Sequence, residues 1–496
     1  MLTWSNAVAS YFGELSWVRL LVQRGLAAVY FVAFLSALNQ FKALLGERGL
    51  LPAGDYLARV GFREAPSLFH WRCSDRAFSV VAWSGLALSV VALTGLSERG
   101  PFWLSVLVWL LLYALYLSIV NVGQVFYAFG WESMLLEAGF LGAFLGPAEL
   151  APPLLPVLAL RWMLFRVELG AGLIKLRHDR CWRALTCLYF HYETQPIPNR
   201  ASLIFHRFPR PVQRMSVLFS HFVQLVCPFG LFAPQPVASV AATFIIVHQF
   251  LLSVSGNYAW LNWLTVVLGF SGYGDGVLTT LLPPLPTLGS AARPLVYEVT
   301  LYALGGAVLL LSIKPTLNLF SKNQAMNETY NPLHLVGSYG AFGSVTRERY
   351  EVVIEGTDDA QVSDETCFRE YGFKAKPGDP ARRPRQVAPY HLRLDWMMWF
   401  LPLRMPVKAA KRVPRFYELW FIRLMESLLR GDRRVLSLFG DVPFRGAPPK
   451  SVRASLYRYE FSSRLEQKQS GLVWKRTRVG EYLPPVTLET LGRPPL

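Results

Sequence analysis

Long apolar runs separated by short polar breaks fill the first 313 residues, and the pattern changes at Lys314. A hydrocarbon core about 30 Å thick is crossed by about 20 apolar residues in a helix. Runs of that kind fall at 25–45, 77–96, 102–126, 153–176, 217–232, 237–254 and 294–313, with a shorter one at 259–270. The stretch 131–145 is apolar but carries Glu132 and Glu137, which suits a short span, a re-entrant segment or an interfacial helix. The pattern predicts about five to nine membrane segments, with seven or eight favoured.

Beyond Lys314 the period shortens. Residues 350–356 (YEVVIEG) and 371–376 (YGFKAK) read as strands, with a turn at Lys376-Pro-Gly-Asp-Pro. Residues 452–461 alternate as a half-buried strand does, and 471–482 suggest another. Helical spacing returns over 414–430 through Phe416, Leu419, Trp420 and Leu424. The segment 397–402, beside Trp396 and Trp399, fits either the membrane surface or the core of its own module. The expected fold class is therefore an α-helical polytopic membrane bundle followed by a small β-rich α+β C-terminal domain. The multi-span part is expected over 1–313 and the basic, water-soluble part over 314–496.

Composition agrees with a membrane class: 52% of residues are hydrophobic, only 17% are charged, and mean hydropathy is +0.29. The net charge is +17, of which residues 314–496 supply +11 (30 Lys+Arg against 19 Asp+Glu). Anionic headgroups account for basic charge beside a bilayer, and no nucleic-acid motif accompanies it. Membrane lipids are the expected neighbours and nucleic acid is not. Glu14, Arg19 and Arg24 precede or enter the first apolar run with no small-x-small site after it, which predicts a retained helix rather than a cleaved leader. The loop 177–214 is strongly basic, and the positive-inside rule would place it in the cytoplasm unless it is a folded element of its own.

Ionisable groups inside apolar segments are costly and need partners or water. Here they are Glu132, Glu137, Arg161, Arg166, Glu168 and Lys175. Glu168 and Lys175 are seven apart, on one helical face two turns from each other; a proton relay or a reactive lysine is one use of such a face, ion pairing the plainer one. His178, Asp179, His191 and Glu193 crowd the adjoining loop. With Glu168 and Lys175 they are the candidate catalytic groups should the segment line a polar cavity. H-Y-E at 191–193 alone makes no metal site, and no phosphate loop or hydrolase motif is present; neither metal nor cofactor is implied. Of Cys73, Cys181, Cys187, Cys227 and Cys367, only Cys181 and Cys187 are near neighbours, and a disulfide or two free thiols fit equally. A redox factor built on that pair is a further alternative. Asn327-Glu-Thr329 is a glycosylation sequon, meaningful only in a secretory lumen.

Five separated stretches resemble the lipase maturation factor family. They are GWESMLLEAGFL (130–141), ELGAGLIKLRHDRCWRALTCLYFHYETQPIPN (168–199), SGNYAWLNWLT (255–265), YGAFGSVTRERYEVVIEG (339–356) and KPGDPARRPRQVAPYHLRLDWMMWF (376–400). The resemblance implies a non-enzymatic chaperone in the endoplasmic reticulum membrane that helps secreted clients, homodimeric lipases above all, to fold and assemble. It also implies a lumenal C-terminal part, against the positive-inside reading, and a proposed link to redox handling. The Ala-, Arg- and Pro-rich composition fits a prokaryotic or GC-rich source equally, in which case the location would be a cytoplasmic membrane. The expected working surfaces are the loop residues Arg177, Trp182, Arg183, His191, Tyr192, Glu193 and Gln195, with Tyr390, His391, Arg393, Asp395 and Trp396. Each would either contact a client or lock loop to bundle.

Overall fold

The computed structural model describes residues 10–283, 291–359, 361–404 and 417–491. Nine helices run between two ends of a bundle among those residues. They are α1 (Ser16–Leu45), α2 (Asp75–Leu93), α3 (Phe102–Asn121), α4 (Gly130–Gly142), α5 (Leu154–Arg177), α6 (Arg210–Leu225), α7 (Val237–Ser255), α8 (Leu261–Gly269) and α9 (Leu295–Leu311). Five are long and apolar enough to cross a membrane: α1, α2, α3, α7, and α9 with its continuation to Phe320. The chain is an integral membrane protein.

Side-chain contacts fix the alternation. At one end Asp275 accepts from the first amides of α1, Arg19 donates to the carbonyls of Pro147, Ala148 and Leu150, and Tyr297 at the start of α9 donates to Phe144 after α4. At the other end Gln40 late in α1 meets the His391 carbonyl, and Asn121 closing α3 meets that of Pro332. There too Arg177 closing α5 meets Gln324, and Asn199 meets Val254 late in α7. Local sequence sets several ends: Ser74 caps α2 through the Ala77 amide, with Asp75 in its first turn. The expected span 217–232 is instead α6 from Arg210, broken near Val226 ahead of Pro228, which has no amide to continue the ladder. Close approach of α4 to α1 needs Gly139, because a Cβ there would run into the Tyr30 hydroxyl.

The C-terminal part caps the second end. Its antiparallel sheet has the order β2–β1–β3–β4, from β1 (Arg349–Thr357), β2 (Arg369–Glu370), β3 (Ser451–Phe461) and β4 (Trp474–Val486). Helices α10 (Arg393–Leu403) and α11 (Leu419–Leu429) complete it; residues 414–416 of the expected helix lie outside the described residues. Segment 371–376 is not the expected strand. Its Ala375 and Lys376 amides donate to the Asp395 carboxylate instead of a ladder, and only Gly372 bridges, to Asp441. One apolar core runs unbroken from the bundle into this cap, from Tyr30 and Leu135 to Trp396, Phe421 and Leu456.

Candidate functional site

The six ionisable groups of the apolar segments divide by partner. Glu137 pairs with Arg166, and the same carboxylate accepts from the Tyr339 hydroxyl at 2.7 Å and the Gly337 amide at 3.0 Å. Glu132 pairs with Arg393 of α10 at 2.8 Å and accepts from Tyr116. Arg161 meets no carboxylate among the described residues; its guanidinium caps the carbonyls of Ser271, Leu231 and Tyr273. Glu168 and Lys175 do not meet. Glu168 accepts from Gln249 at 2.6 Å, and Lys175 donates to Gln224 at 2.7 Å.

Glu168, Lys175 and His178 line a cavity of about 350 Å³ between the bundle and the cap. Its other walls come from Trp131 and Met134 of α4, Asn262 of α8, the 326–344 segment, and Trp396 and Phe400 of α10. The remaining candidate catalytic groups are not among its walls. Asp179 caps the short helix Arg180–Arg183 and pairs with Arg347 at 2.8 Å. Burial raises its pKa, but the Arg347 bond together with the Cys181 and Val345 amides outweighs that and holds the carboxyl below its usual range. Glu193 accepts from the Phe461 amide at 2.6 Å; here burial wins and raises the carboxyl. His191 bonds Tyr258 at 3.0 Å, away from the others.

The loop and the YHLRLDW segment are tied to their surroundings largely through buried side chains. Trp182, His191, Tyr192, Gln195, His391, Arg393, Asp395 and Trp396 are all buried. Trp182 donates to the Phe342 carbonyl and Gln195 to that of Ser255, and Asp395 holds the 375–376 turn. Arg177 holds Gln324 and the Leu319 carbonyl, Arg183 is exposed, and Tyr390 reaches Asn39 and Gln40. Cys181 and Cys187 are joined in a disulfide, with Cα atoms 4.8 Å apart, within the loop's own small apolar cluster.

Sequence reasoning missed Arg349. This first residue of β1 is buried, pairs with Glu351, and donates to the carbonyls of Glu193, Gln195 and Pro196. Lys376 meets the same Glu351 at 2.7 Å. An arginine opening a strand carries no signal of a partner about 150 residues earlier.

Two buried imidazoles make stability acid-sensitive. Burial, with Lys175 second, lowers His191 to about 3, and burial with Arg393 lowers His391 to about 4. Glu132 lies 3.6 Å from His391 Nδ1, too far for a hydrogen bond to reverse that. Each folded value lies below the unfolded one of about 6.5, so the unfolded chain takes up protons first as pH falls. Their contribution to stability is therefore full above pH 6.5 and is expected to drop between about 6.5 and 4, by about 1.4 kcal/mol per unit for each histidine. Both ring nitrogens of His391 lack partners inside an aromatic cage of Phe129, Trp131, Trp260 and Trp396. His391→Phe should accordingly flatten the pH dependence of the melting temperature in detergent between pH 7.5 and 5. An unchanged slope would mean that other groups carry it.

Nine alternating helices among the described residues, closed at one end by a β-rich cap, with a buried ion pair crossing between them, define a polytopic membrane protein whose two parts share one core. The family model described as the lipase maturation factor transmembrane domain matches residues 17–280, and that of the lipase maturation factor C-terminal domain matches 335–484. The chain belongs to the lipase maturation factor family. It is 41% identical to Lipase maturation factor 1 of Bos taurus, over 95% of this chain and 89% of the relative. To Lipase maturation factor 1 of Homo sapiens it is 40% identical (95% and 88% covered), and to Lipase maturation factor 2 of Homo sapiens 30% (96% and 84%). No solved structure matches the chain significantly.

Proposed function

We propose that the protein is a membrane-anchored maturation factor that assists secreted lipases to fold and assemble, acting without an enzymatic step of its own. The observation that carries this reading is about 40% identity to Lipase maturation factor 1 along 95% of the chain. Its place is the endoplasmic reticulum membrane, with the cap and the 177–214 loop in the lumen. The Cys181–Cys187 disulfide supports that side, since such bonds persist in oxidising compartments. Positive charge on a folded, translocated element does not override this, because large domains escape the charge rule. The buried loop residues hold the cap on the bundle, and client contact falls to more exposed side chains of the same end.

The enzymatic alternative has less behind it: of its six candidate groups, the cavity gathers Glu168, Lys175 and His178 and leaves the other three elsewhere. The redox alternative requires a disulfide that exchanges, whereas Cys181 and Cys187 are both buried.

The test is complementation. Cells lacking their own maturation factor, supplied with a secreted homodimeric lipase, should regain lipase specific activity in the medium when this chain is expressed. Well-expressed, folded protein that leaves the lipase inactive would overturn the reading. A companion measurement addresses sidedness: thiol alkylation of intact microsomes should modify Cys181 and Cys187 only after reduction. Labelling without reductant would argue for a reducing compartment.

A further inference from the structure

The 177–214 loop carries more basic groups than it has acids to meet them. Its only carboxylates are Asp179, which pairs with Arg347, and Glu193, which accepts from the Phe461 amide. Two arginines at the loop's junction with α6 are nevertheless held in place. Arg214 donates through Nε to the Tyr189 hydroxyl at 2.8 Å, and the Arg210 guanidinium lies over the same ring, 5.6 Å from its centre. Both arginines are exposed, and neither meets a carboxylate among the described residues. Like charges four apart on a helix repel, so Tyr189 gathers a pair that an anion between them would stabilise. Bonding through Nε leaves Arg214 its terminal nitrogens, and Arg210 keeps its whole fork, a donor set that matches phosphate oxygens.

Depth in the bilayer says what kind of phosphate reaches them. α6 and α7 run antiparallel: Gly230 just beyond α6 packs on Ala241, the Phe222 ring lies 5.4 Å from Phe244, and Phe219 lies 6.0 Å from His248. At about 1.5 Å per residue, Arg214 stands about 7 Å beyond Phe219, level with Ser253. Arg210 stands about 13 Å beyond Phe219, just past Ser255, where α7 ends. α7 is long and apolar enough to cross a membrane, so its cap-side end marks the boundary and both arginines fall in the headgroup layer. Below them on the same face, at steps of four, stand Leu218 and Phe222, 49% and 42% exposed, with Met215 beside them at 63%. Paired cations above an open apolar stripe match the outline of one phospholipid.

We propose that Arg210, Arg214 and Tyr189 form a binding site for an anionic phospholipid of the cap-side leaflet. Its phosphate lies between the two guanidiniums and an acyl chain runs along Leu218 and Phe222. A headgroup of net negative charge is favoured over a zwitterionic one, whose ammonium would face two cations. Tyr189 is the positioning residue, setting both arginines without supplying charge. The site is separate from client handling and stands whether or not complementation succeeds.

The experiment uses the full chain in phosphatidylcholine nanodiscs doped with a phospholipid bearing a diazirine on its acyl chain, with adducts mapped by mass spectrometry. The probe is phosphatidylglycerol in one arm and phosphatidylcholine in the other. Phosphatidylglycerol should label Leu218 and Phe222 at least tenfold more than phosphatidylcholine does. Arg210→Gln and Arg214→Gln should each weaken that labelling about fivefold and the double variant about 25-fold, the effect of one and of two surface cations on an anionic headgroup. Tyr189→Phe, which keeps the ring and loses the hydroxyl, should weaken it about threefold with no change in charge. The size-exclusion profile checks that each variant is folded, and the two probes on the parent decide should one not be. Equal labelling by both probes overturns the proposal, as does labelling indifferent to the double variant. Displacement of the probe by inorganic phosphate, beyond that by chloride at equal ionic strength, would show a site for free anions and overturn it too.

Discussion

Glu132→Gln should cost the folded protein about 3–5 kcal/mol, and Arg393→Met about as much, because each leaves the other group buried without its partner. The Glu132 and Arg393 side chains are both 0% exposed and 2.8 Å apart. Arg393 also donates to the Phe126 carbonyl and stacks on the Tyr127 ring, and Tyr116 donates to Glu132. Neither residue can turn to water, so no cheap rearrangement is open to a single variant. The double variant should lose much less than the sum of the two, since removing both charges also removes both desolvation penalties. Detergent-solubilised protein would be compared by size-exclusion profile and melting temperature. Single variants that melt within a degree or two of the parent, or strictly additive losses, would show that the pair is not coupled.

Arg349→Met is the second large effect expected, about 3 kcal/mol or more, with a different signature. It strips three carbonyls of the 193–196 turn of their donor and leaves Glu351 with Lys376 alone. The bundle keeps its own ion pairs, so the loss should be local. Limited proteolysis should cut within 177–214 at least tenfold faster, while the helical circular dichroism signal stays near that of the parent. Equal cleavage rates would mean that the loop's other bonds secure it without Arg349.

The contrast between these sites explains what the sequence could reveal. Hydrophobic periodicity is local, so α1, α2, α7 and α9 could be read from runs of apolar residues, and β1 and β3 from alternation. α4 could not be settled. Its 13 residues reach only about 20 Å, and its two carboxylates are acceptable only because Arg393 and Arg166 neutralise them. The 371–376 segment failed for a similar reason. Strand propensity there is overruled by Asp395, which captures the amides from another element. Within the site, the crowding of polar residues over 168–199 was legible, but their division between cavity and locks was not. Glu168 and His191 look alike along the chain, and only the packing gives one the Gln249 amide of α7 and the other the Tyr258 hydroxyl from the turn between α7 and α8.

The Glu132–Arg393 pair spans 261 residues of sequence, and a ribosome makes the chain from its N-terminal side. At about 5–20 residues per second, α4 waits on the order of 13–50 seconds before the cation that neutralises it has been made. Glu137 waits as well, since the Tyr339 hydroxyl and Gly337 amide that complete its shell lie about 200 residues on. During that interval α4 is a short segment carrying a carboxyl group, Glu132, with no counter-ion. A premature stop after the end of α4 but before codon 393 is therefore expected to do more than shorten the cap: it leaves that buried helix without the charge that permits it to stay in the membrane.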